Sequence, residues 1–187
     1  MTPSRPGEPL TYPLASLLRE APGATRRYDV AGVTVDVGPD LRLVEPIEGT
    51  VRVSRTNRGV MVHGRLDTAI AAECSRCLRA IDVGIDLEID EEALASIDIE
   101  TGQPLSWADE PDVVRLNGAH ELEFDVVIRE AILLAEPIAP LCRADCPGLC
   151  PICGEDLATS PHAHPEDVDP RLEALRAFRF DGPDGTH

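Results

Sequence analysis

The sequence predicts an α+β fold, in which an antiparallel β-sheet or partly closed barrel carries a covering helix and a C-terminal Cys/His zinc knuckle. Three observations support this prediction. Apolar and polar residues alternate over residues 81–89, as in a strand with one buried face. An apolar stripe with helical period follows at residues 125–136. Four cysteines then cluster within residues 142–153.

The same pattern divides the chain into three predicted segments. Residues 1–29 form an N-terminal extension with a short helix. Residues 30–140 form the antiparallel β-sheet domain, with an acidic loop and the covering helix. Residues 141–187 form the zinc knuckle and a C-terminal helix.

The predicted helix of the extension rests on leucines that share one face, and the first strands rest on alternating valines. The leucines are Leu14, Leu17 and Leu18, and the valines are Val33, Val35, Val37, Val51, Val53, Val60 and Val62. Residues 56–59, with the sequence Thr-Asn-Arg-Gly, separate the last two valine pairs and predict a hairpin turn.

Residues 91–120 lose this regularity and are acidic, so we expect a loop there. Asp125 is expected to cap the covering helix, and Pro137 is expected to end it. A final short helix is predicted to start at Asp169, because Pro170 follows at the first helical position.

The net charge of −17 is unevenly distributed along the chain. Residues 1–80 carry a net charge of +2, whereas residues 81–187 carry −19. Such acidity disfavours a broad phosphate-binding face and favours a basic protein partner. Acidity that serves only solubility explains the charge equally well.

The sequence also predicts a cytoplasmic protein with no membrane segment. Its start shows no apolar signal stretch, and its longest apolar run, residues 131–141, is interrupted by Glu136, Pro137 and Pro140. Thiols stay reduced in the cytosol, so the six cysteines are better suited to metal binding than to disulfides.

Six cysteines and two histidines have zinc-like spacing. This spacing predicts two tetrahedral zinc sites, with one site as the minimum. We expect one site to use Cys74, Cys77, Cys142 and Cys146, and the other to use Cys150, Cys153, His162 and His164. In a rival partition, Cys74 and Cys77 share an ion with Cys150 and Cys153.

Other interpretations of these residues remain open at this stage. Cysteines also serve as small buried hydrophobes, and the two histidines also fit a solvated polar loop. A redox role is disfavoured because no βαβ pattern surrounds either Cys-x-x-Cys pair. Four sulfur or nitrogen ligands for each ion would close both sites, which disfavours a metalloenzyme and a small-molecule substrate.

The locally basic stretch at residues 50–80 supplies the candidate RNA contact. Arg52, Arg55 and Arg58 lie at or beside the predicted hairpin, and arginine suits bidentate contact with phosphate. A solvated hairpin tip is the alternative interpretation.

Several motifs together resemble the YceD-type family of large-ribosomal-RNA accumulation proteins. The paired strands of residues 49–64 precede Cys74-Ser75-Arg76-Cys77-Leu78, and residues 130–137 resemble the family's Glu-rich helix. The knuckle of residues 146–154 and the closing Asp-Pro-Arg of residues 169–171 also match, so the resemblance covers about residues 45–178. Many relatives carry Cys-x-Cys where this chain has His162-x-His164, and zinc accepts either ligand. Glu136 replaces a residue that is usually apolar in relatives.

The resemblance implies a role in synthesis, processing or stability of 23S rRNA, and hence in large-subunit assembly. We therefore expect a non-enzymatic zinc-binding factor. Its expected partner is the large ribosomal subunit precursor, contacted through a basic ribosomal protein and, at the hairpin, through 23S rRNA. The alternative is a zinc-dependent regulatory or adaptor protein with no link to ribosomes.

Overall fold

Two β-sheets and two helices make up the described part of the chain. The computed structural model describes residues 10–106, 113–164 and 171. In chain order the elements are β1 (Thr11–Pro13), α1 (Ala15–Leu18), β2 (Thr25–Val33), β3 (Ile47–Arg55), β4 (Gly59–Glu73), β5 (Ala80–Leu94), β6 (Val114–Arg115), β7 (Glu121–Glu123) and α2 (Phe124–Ala135).

The main sheet has the strand order β2-β3-β4-β5-β6, and a small second sheet pairs β1 with β7. All neighbours are antiparallel except β5 and β6, which run parallel. In the described residues β2 and β6 are the two edges of this sheet, so the sheet is open. Of the two predicted architectures, an antiparallel sheet and a partly closed barrel, the described strands form a mostly antiparallel open sheet and no closed barrel.

The hydrophobic core lies between one face of the main sheet and the two helices. Val51, Val62 and Ile89 point into it from adjacent strands, and Phe124 and Ile128 of α2 belong to the same core cluster. Alternate residues of the same strands are exposed, because successive side chains of a strand point to opposite faces. The sheet thus has a covered face and an open face.

Several predicted elements are confirmed. The hairpin turn forms at residues 56–59, where the Thr56 N–H donates to the Gly59 carbonyl at 3.0 Å. The alternating run at residues 81–89 lies inside β5, and α2 begins and ends within a residue of expectation. Of the three predicted helical leucines, α1 contains Leu17 and Leu18, whereas Leu14 occupies its N-cap position.

Other expectations differ from the structure. The strand predicted through Val37 ends at Val33, after a register irregularity that includes Gly32 with a φ of 69°, and it begins earlier, at Thr25. Asp125 does not cap α2: Glu123 holds the cap position, and Asp125 lies in the first turn, where a carboxylate favours the helix dipole.

The expected loop at residues 91–120 contains short regular pieces, because β5 continues to Leu94 and β6 pairs with its end. Leu94 and Leu116 are buried there and anchor the pairing in the core. The predicted C-terminal helix from Asp169 lies outside the described residues. No described helix is long and apolar enough to cross a membrane.

Candidate metal centres

The first pair of cysteines lies in the turn that joins β4 to β5. The last strand pair is Glu73 with Ala80, so residues 74–79 form the connection. The Leu78 N–H donates to the Cys74 carbonyl, and the Cys74 N–H donates to the Arg79 carbonyl, both at 2.8 Å. These two bonds fold the chain into a knuckle, which we call the first knuckle.

The segment after α2 brings two more cysteines to this knuckle. The Ser75 N–H donates to the Pro140 carbonyl at 2.8 Å, and the Arg76 guanidinium donates to the Cys146 carbonyl at 2.9 Å. As a result, the sulfurs of Cys74, Cys77, Cys142 and Cys146 all lie within 4.8 Å of one another. We call these four residues the first group.

The sulfur spacing of the first group fits a zinc ion. The Sγ atoms of Cys74 and Cys146 are 3.8 Å apart, and so are those of Cys77 and Cys142. A regular tetrahedron with zinc–sulfur bonds of about 2.3 Å has sulfur–sulfur edges of about 3.8 Å. Cys74 is fully buried and Cys146 is 3% exposed, so an ion held here would be largely shielded from water.

The electrostatics of the first group favour a bound cation. Hydrogen bonds from the backbone N–H groups of Cys142 and Cys77 lower the pKa of the Cys74 thiol to about 6. Contact with the Cys146 side chain, and then burial, raises the pKa of Cys142 to about 12. Four neighbouring thiols therefore cannot all ionise by themselves, whereas a dication would stabilise all four thiolates.

The second Cys-x-x-Cys pair repeats the backbone of the first. The Gly154 N–H donates to the Cys150 carbonyl, and the Cys150 N–H donates to the Glu155 carbonyl, again both at 2.8 Å. The residue after the second cysteine has a positive φ in both turns, 57° at Leu78 and 76° at Gly154. Residues 150–155 are therefore a second knuckle with the same fold.

The two histidines complete a second group with Cys150 and Cys153. Their ligand atoms lie within 4.8 Å of one another and of the two sulfurs. The Nε2 atom of His162 is 3.1 Å from the Cys153 Sγ, and its Nδ1 lies 2.7 Å from the Ser160 carbonyl. Donation from Nδ1–H to a backbone carbonyl leaves the Nε2 lone pair for a metal, which is the usual arrangement of a ligating histidine.

The pKa values of the second group follow the same pattern. Hydrogen bonds from the N–H groups of Cys153 and Ile152 lower the pKa of Cys150 to about 6. The backbone contact with Ser160, followed by the contact with Cys150, raises the pKa of His162. Cys153 is exposed, so this group is open to solvent on one side.

The structure therefore assembles the eight predicted ligands into the two groups that the sequence predicts. It does not bring Cys150 and Cys153 into one group with Cys74 and Cys77, as the rival partition requires. The donor sets, four thiolates in one group and two thiolates with two imidazoles in the other, suit zinc. That zinc is bound stays a prediction.

The three candidate RNA-contacting arginines do not lie together. Arg52 points to the open face of the sheet, opposite His63. Arg55, three residues on, points to the covered face, where it donates to the carbonyls of Leu18 and Gly59 at 3.1 and 3.0 Å. Arg58 forms an ion pair with Glu92 at 2.6 Å. Whether any of the three contacts RNA stays a prediction.

One residue of the open face escaped the sequence analysis. Arg27 lies directly opposite Arg52 on the neighbouring strand. The sequence places it in the N-terminal extension, residues 1–29, because the valine alternation begins only after that segment. The alternation of Tyr28 and Val30 with Arg27 and Asp29 is the signal that would have placed it in a strand.

Taken together, an open sheet with a knuckle at its longest hairpin, followed by a second knuckle, defines a protein with two candidate zinc centres. The family model described as "Large ribosomal RNA subunit accumulation protein YceD" matches residues 62–179. This range begins in β4 and includes all eight candidate ligands. The chain belongs to this family.

Mycobacterial proteins are among the relatives. An uncharacterized protein of Mycobacterium tuberculosis is 30% identical over 170 residues, which cover 89% of this chain and 80% of the relative. A protein of Mycobacterium bovis gives the same values. One of Mycobacterium leprae is 31% identical over 138 residues, covering 72% of this chain and 61% of the relative. No solved structure matches the chain significantly.

Proposed function

We propose that this protein is a non-enzymatic, zinc-binding factor that supports the accumulation of 23S rRNA and the assembly of the large ribosomal subunit. One observation carries the proposal: the match to a family described by large ribosomal RNA subunit accumulation, over residues 62–179. Family membership supplies the ribosomal link, which the fold alone would not suggest.

The role of the metal in this proposal is structural. Each group offers four sulfur or nitrogen donors, so a tetrahedral ion would have no open position for a water or substrate. The first ion would join the β4–β5 turn to the segment after α2, and the second would hold residues 150–164 in place. Neither centre would carry out chemistry.

The proposed partner is the precursor of the large ribosomal subunit in the cytoplasm, contacted through a basic ribosomal protein. The open face of β5 supports this, because Asp86 and Glu88 lie on the same side of the strand and form no ion pair in the described residues, whereas Asp90 and Glu92 already have partners within the protein. Opposite charge would speed association with a basic protein, and salt would weaken the complex.

Depletion of the protein in its host tests the proposed function. We expect the ratio of 23S to 16S rRNA to fall and incomplete large subunits to accumulate in a sucrose gradient. A plasmid copy of the wild-type gene should restore both. A normal ratio and a normal gradient after depletion would exclude the ribosomal role.

The proposed cofactor is tested by native mass spectrometry of the reduced protein, with and without a chelator. We expect the mass to increase by two zinc ions per chain, with one zinc ion as the minimum. A folded, reduced and metal-free protein would contradict this part of the proposal.

The second candidate function is a zinc-dependent regulatory or adaptor protein without a ribosomal partner. An exposed apolar surface at the end of α2 favours it, since Leu134 is 87% exposed and Ile138 is fully exposed. Co-sedimentation with large-subunit precursors separates the two candidates: only the ribosomal factor is expected there.

A further inference from the structure

The open face of the main sheet carries a cluster of arginines on three adjacent strands. Arg27 on β2 lies opposite Arg52 on β3. Arg65 on β4 lies opposite Thr50, two residues before Arg52 on the same face. All three arginines are exposed. We call Arg27, Arg52 and Arg65 the arginine cluster.

In the described residues, no carboxylate forms an ion pair with the arginine cluster. Among the described residues, none of its three guanidinium groups forms a hydrogen bond or an ion pair. Arg65 is paired in register with Glu88, yet the two form no ion pair. Like charges placed directly opposite each other on neighbouring strands are unfavourable, so the pairing of Arg27 with Arg52 costs the isolated protein stability.

A cavity of about 490 Å³ lies among these side chains. The arginine cluster, Thr50 and His63 line it, together with Glu88 and Asp90 at the β5 side. The Asp90 carboxylate is in hydrogen-bond contact with the His63 ring. Arginines from three strands thus meet in the cavity, with Glu88 and Asp90 on the β5 side and Asp29 of β2 beside it, opposite Thr50.

We propose that the arginine cluster binds phosphate groups of an RNA chain, so that this face is the nucleic-acid contact of the protein. This inference rests on the proposed function, because the family description supplies the RNA. Three guanidinium groups from three strands and Thr50 line the same cavity. Donors from several side chains suit the three-dimensional oxygen arrangement of a phosphate better than a planar carboxylate.

The acidic row on β5 limits the size of this contact. Asp86 and Glu88 would repel further phosphates, so we expect one to three phosphates to be bound rather than a long stretch of backbone. The logarithm of affinity should accordingly fall with the logarithm of salt concentration with a slope of only about −1 to −2. This distinguishes the site from a broad basic groove.

The binding test uses fluorescence anisotropy with labelled single-stranded RNA fragments of 23S rRNA at low salt. The test variant is Arg52→Gln with Arg65→Gln. The control is Arg19→Gln with Arg42→Gln, which removes the same charge from residues that do not line the cavity. Circular dichroism and zinc content should be unchanged in both, since all four side chains are exposed.

We expect the test variant to bind RNA about tenfold more weakly and with a smaller salt slope, and the control to stay within about twofold of wild type. Equal binding by the test and control variants would overturn the proposal, as would a wild-type protein that binds no RNA. Binding of inorganic phosphate that RNA does not displace would also overturn it. The proposal would likewise be overturned if the test variant kept its RNA affinity but no longer co-sedimented with subunit precursors. That result would indicate that the arginine cluster binds an acidic protein.

Complementation separates this inference from the proposed function. If depletion lowers the 23S to 16S ratio and the test variant fails to restore it, both stand. If the test variant restores the ratio completely, the proposed function stands and the phosphate contact is overturned. If depletion leaves the ratio normal, the proposed function fails, and weakened RNA binding by the purified test variant alone would still support the contact.

Discussion

The two groups of candidate ligands share one knuckle backbone but occupy different positions in the fold. In the first group, the paired sulfurs come from residues 65 and 72 positions apart, and three of its four cysteines are buried. In the second group, Cys153 and His162 are only nine positions apart, and both Cys153 and His164 are exposed. The same knuckle backbone therefore takes part in one group that joins distant parts of the chain and in one group whose ligands are close together in sequence.

This difference indicates which group stabilises the fold. An ion in the first group closes a long loop that contains β5, β6, β7 and α2, so its binding free energy becomes folding free energy of the sheet. An ion in the second group orders only residues 150–164. The following predictions test this asymmetry, beginning with the largest expected effect.

Substitution Cys74→Ser should unfold much of the domain. Loss of a structural zinc removes on the order of 10 kcal/mol, comparable to the whole stability of a domain of this size. Far-UV circular dichroism should lose most of its β-sheet signal, and native mass spectrometry should show that the first zinc is missing. A native spectrum with that zinc absent would contradict the assignment of the first group as the structural centre.

Substitution Cys153→Ser is the matched comparison, because it removes one thiol from the second knuckle. We expect one zinc to be lost while the far-UV spectrum and the cooperative thermal transition of the sheet are largely kept. Limited proteolysis should then cut after residue 150 but not within β3 to β5. Equal loss of secondary structure and of both zincs in the two variants would refute the separation of the groups.

The sequence predicts the local features of these centres but not the secondary-structure elements that surround them. The spacing of the cysteines predicts the two Cys-x-x-Cys knuckles, because ligand geometry within one knuckle is a short-range constraint. It leaves two partitions of the ligands open, because the first group joins residues 65 to 72 positions apart. It could not show that the first knuckle is the β4–β5 turn, because that depends on the strand pairing of Glu73 with Ala80. The positive φ of Leu78 was also not predictable, because leucine rarely adopts the left-handed conformation.

The fold shows the same division between local and long-range information. The hairpin at residues 56–59 and helix α2 were predictable from local patterns. The β5–β6 pairing was not, because a two-residue edge strand such as β6 is selected by its neighbours in the core rather than by its own sequence. The start of β2 lies between these cases, because its alternation is local but spans only a few residues.

The contact between the two knuckles can be tested with a pair of glycines. Gly148 and Gly154 both have a positive φ, 79° and 76°. A Cβ at Gly148 would lie 3.0 Å from the Arg76 carbonyl oxygen, whereas one at Gly154 would meet nothing within 4 Å. We expect Gly154→Ala to cost about 1 kcal/mol for backbone strain.

Gly148→Ala should cost about 2 to 3 kcal/mol, because it adds a clash with the first knuckle to the same strain. Chemical denaturation of the zinc-loaded protein measures both values. The difference between the two variants isolates the close approach of the backbones. Equal costs would mean that the knuckles are not packed against each other.

The smallest expected effect concerns the ion pair that joins the knuckles. Arg79 of the first knuckle lies 3.0 Å from Asp156, just beyond the second knuckle, and the Arg79 side chain is 58% exposed. Exposed ion pairs contribute at most about 1 kcal/mol, so Arg79→Ala should change global stability very little. It should, however, speed the release of the second zinc to a chelator, and high salt should remove this difference. Arg143→Ala is the control, because the ion pair of Arg143 is local, with Asp145 at 3.4 Å. Identical release rates for the two variants would show that the backbone contacts alone hold the second knuckle against the first.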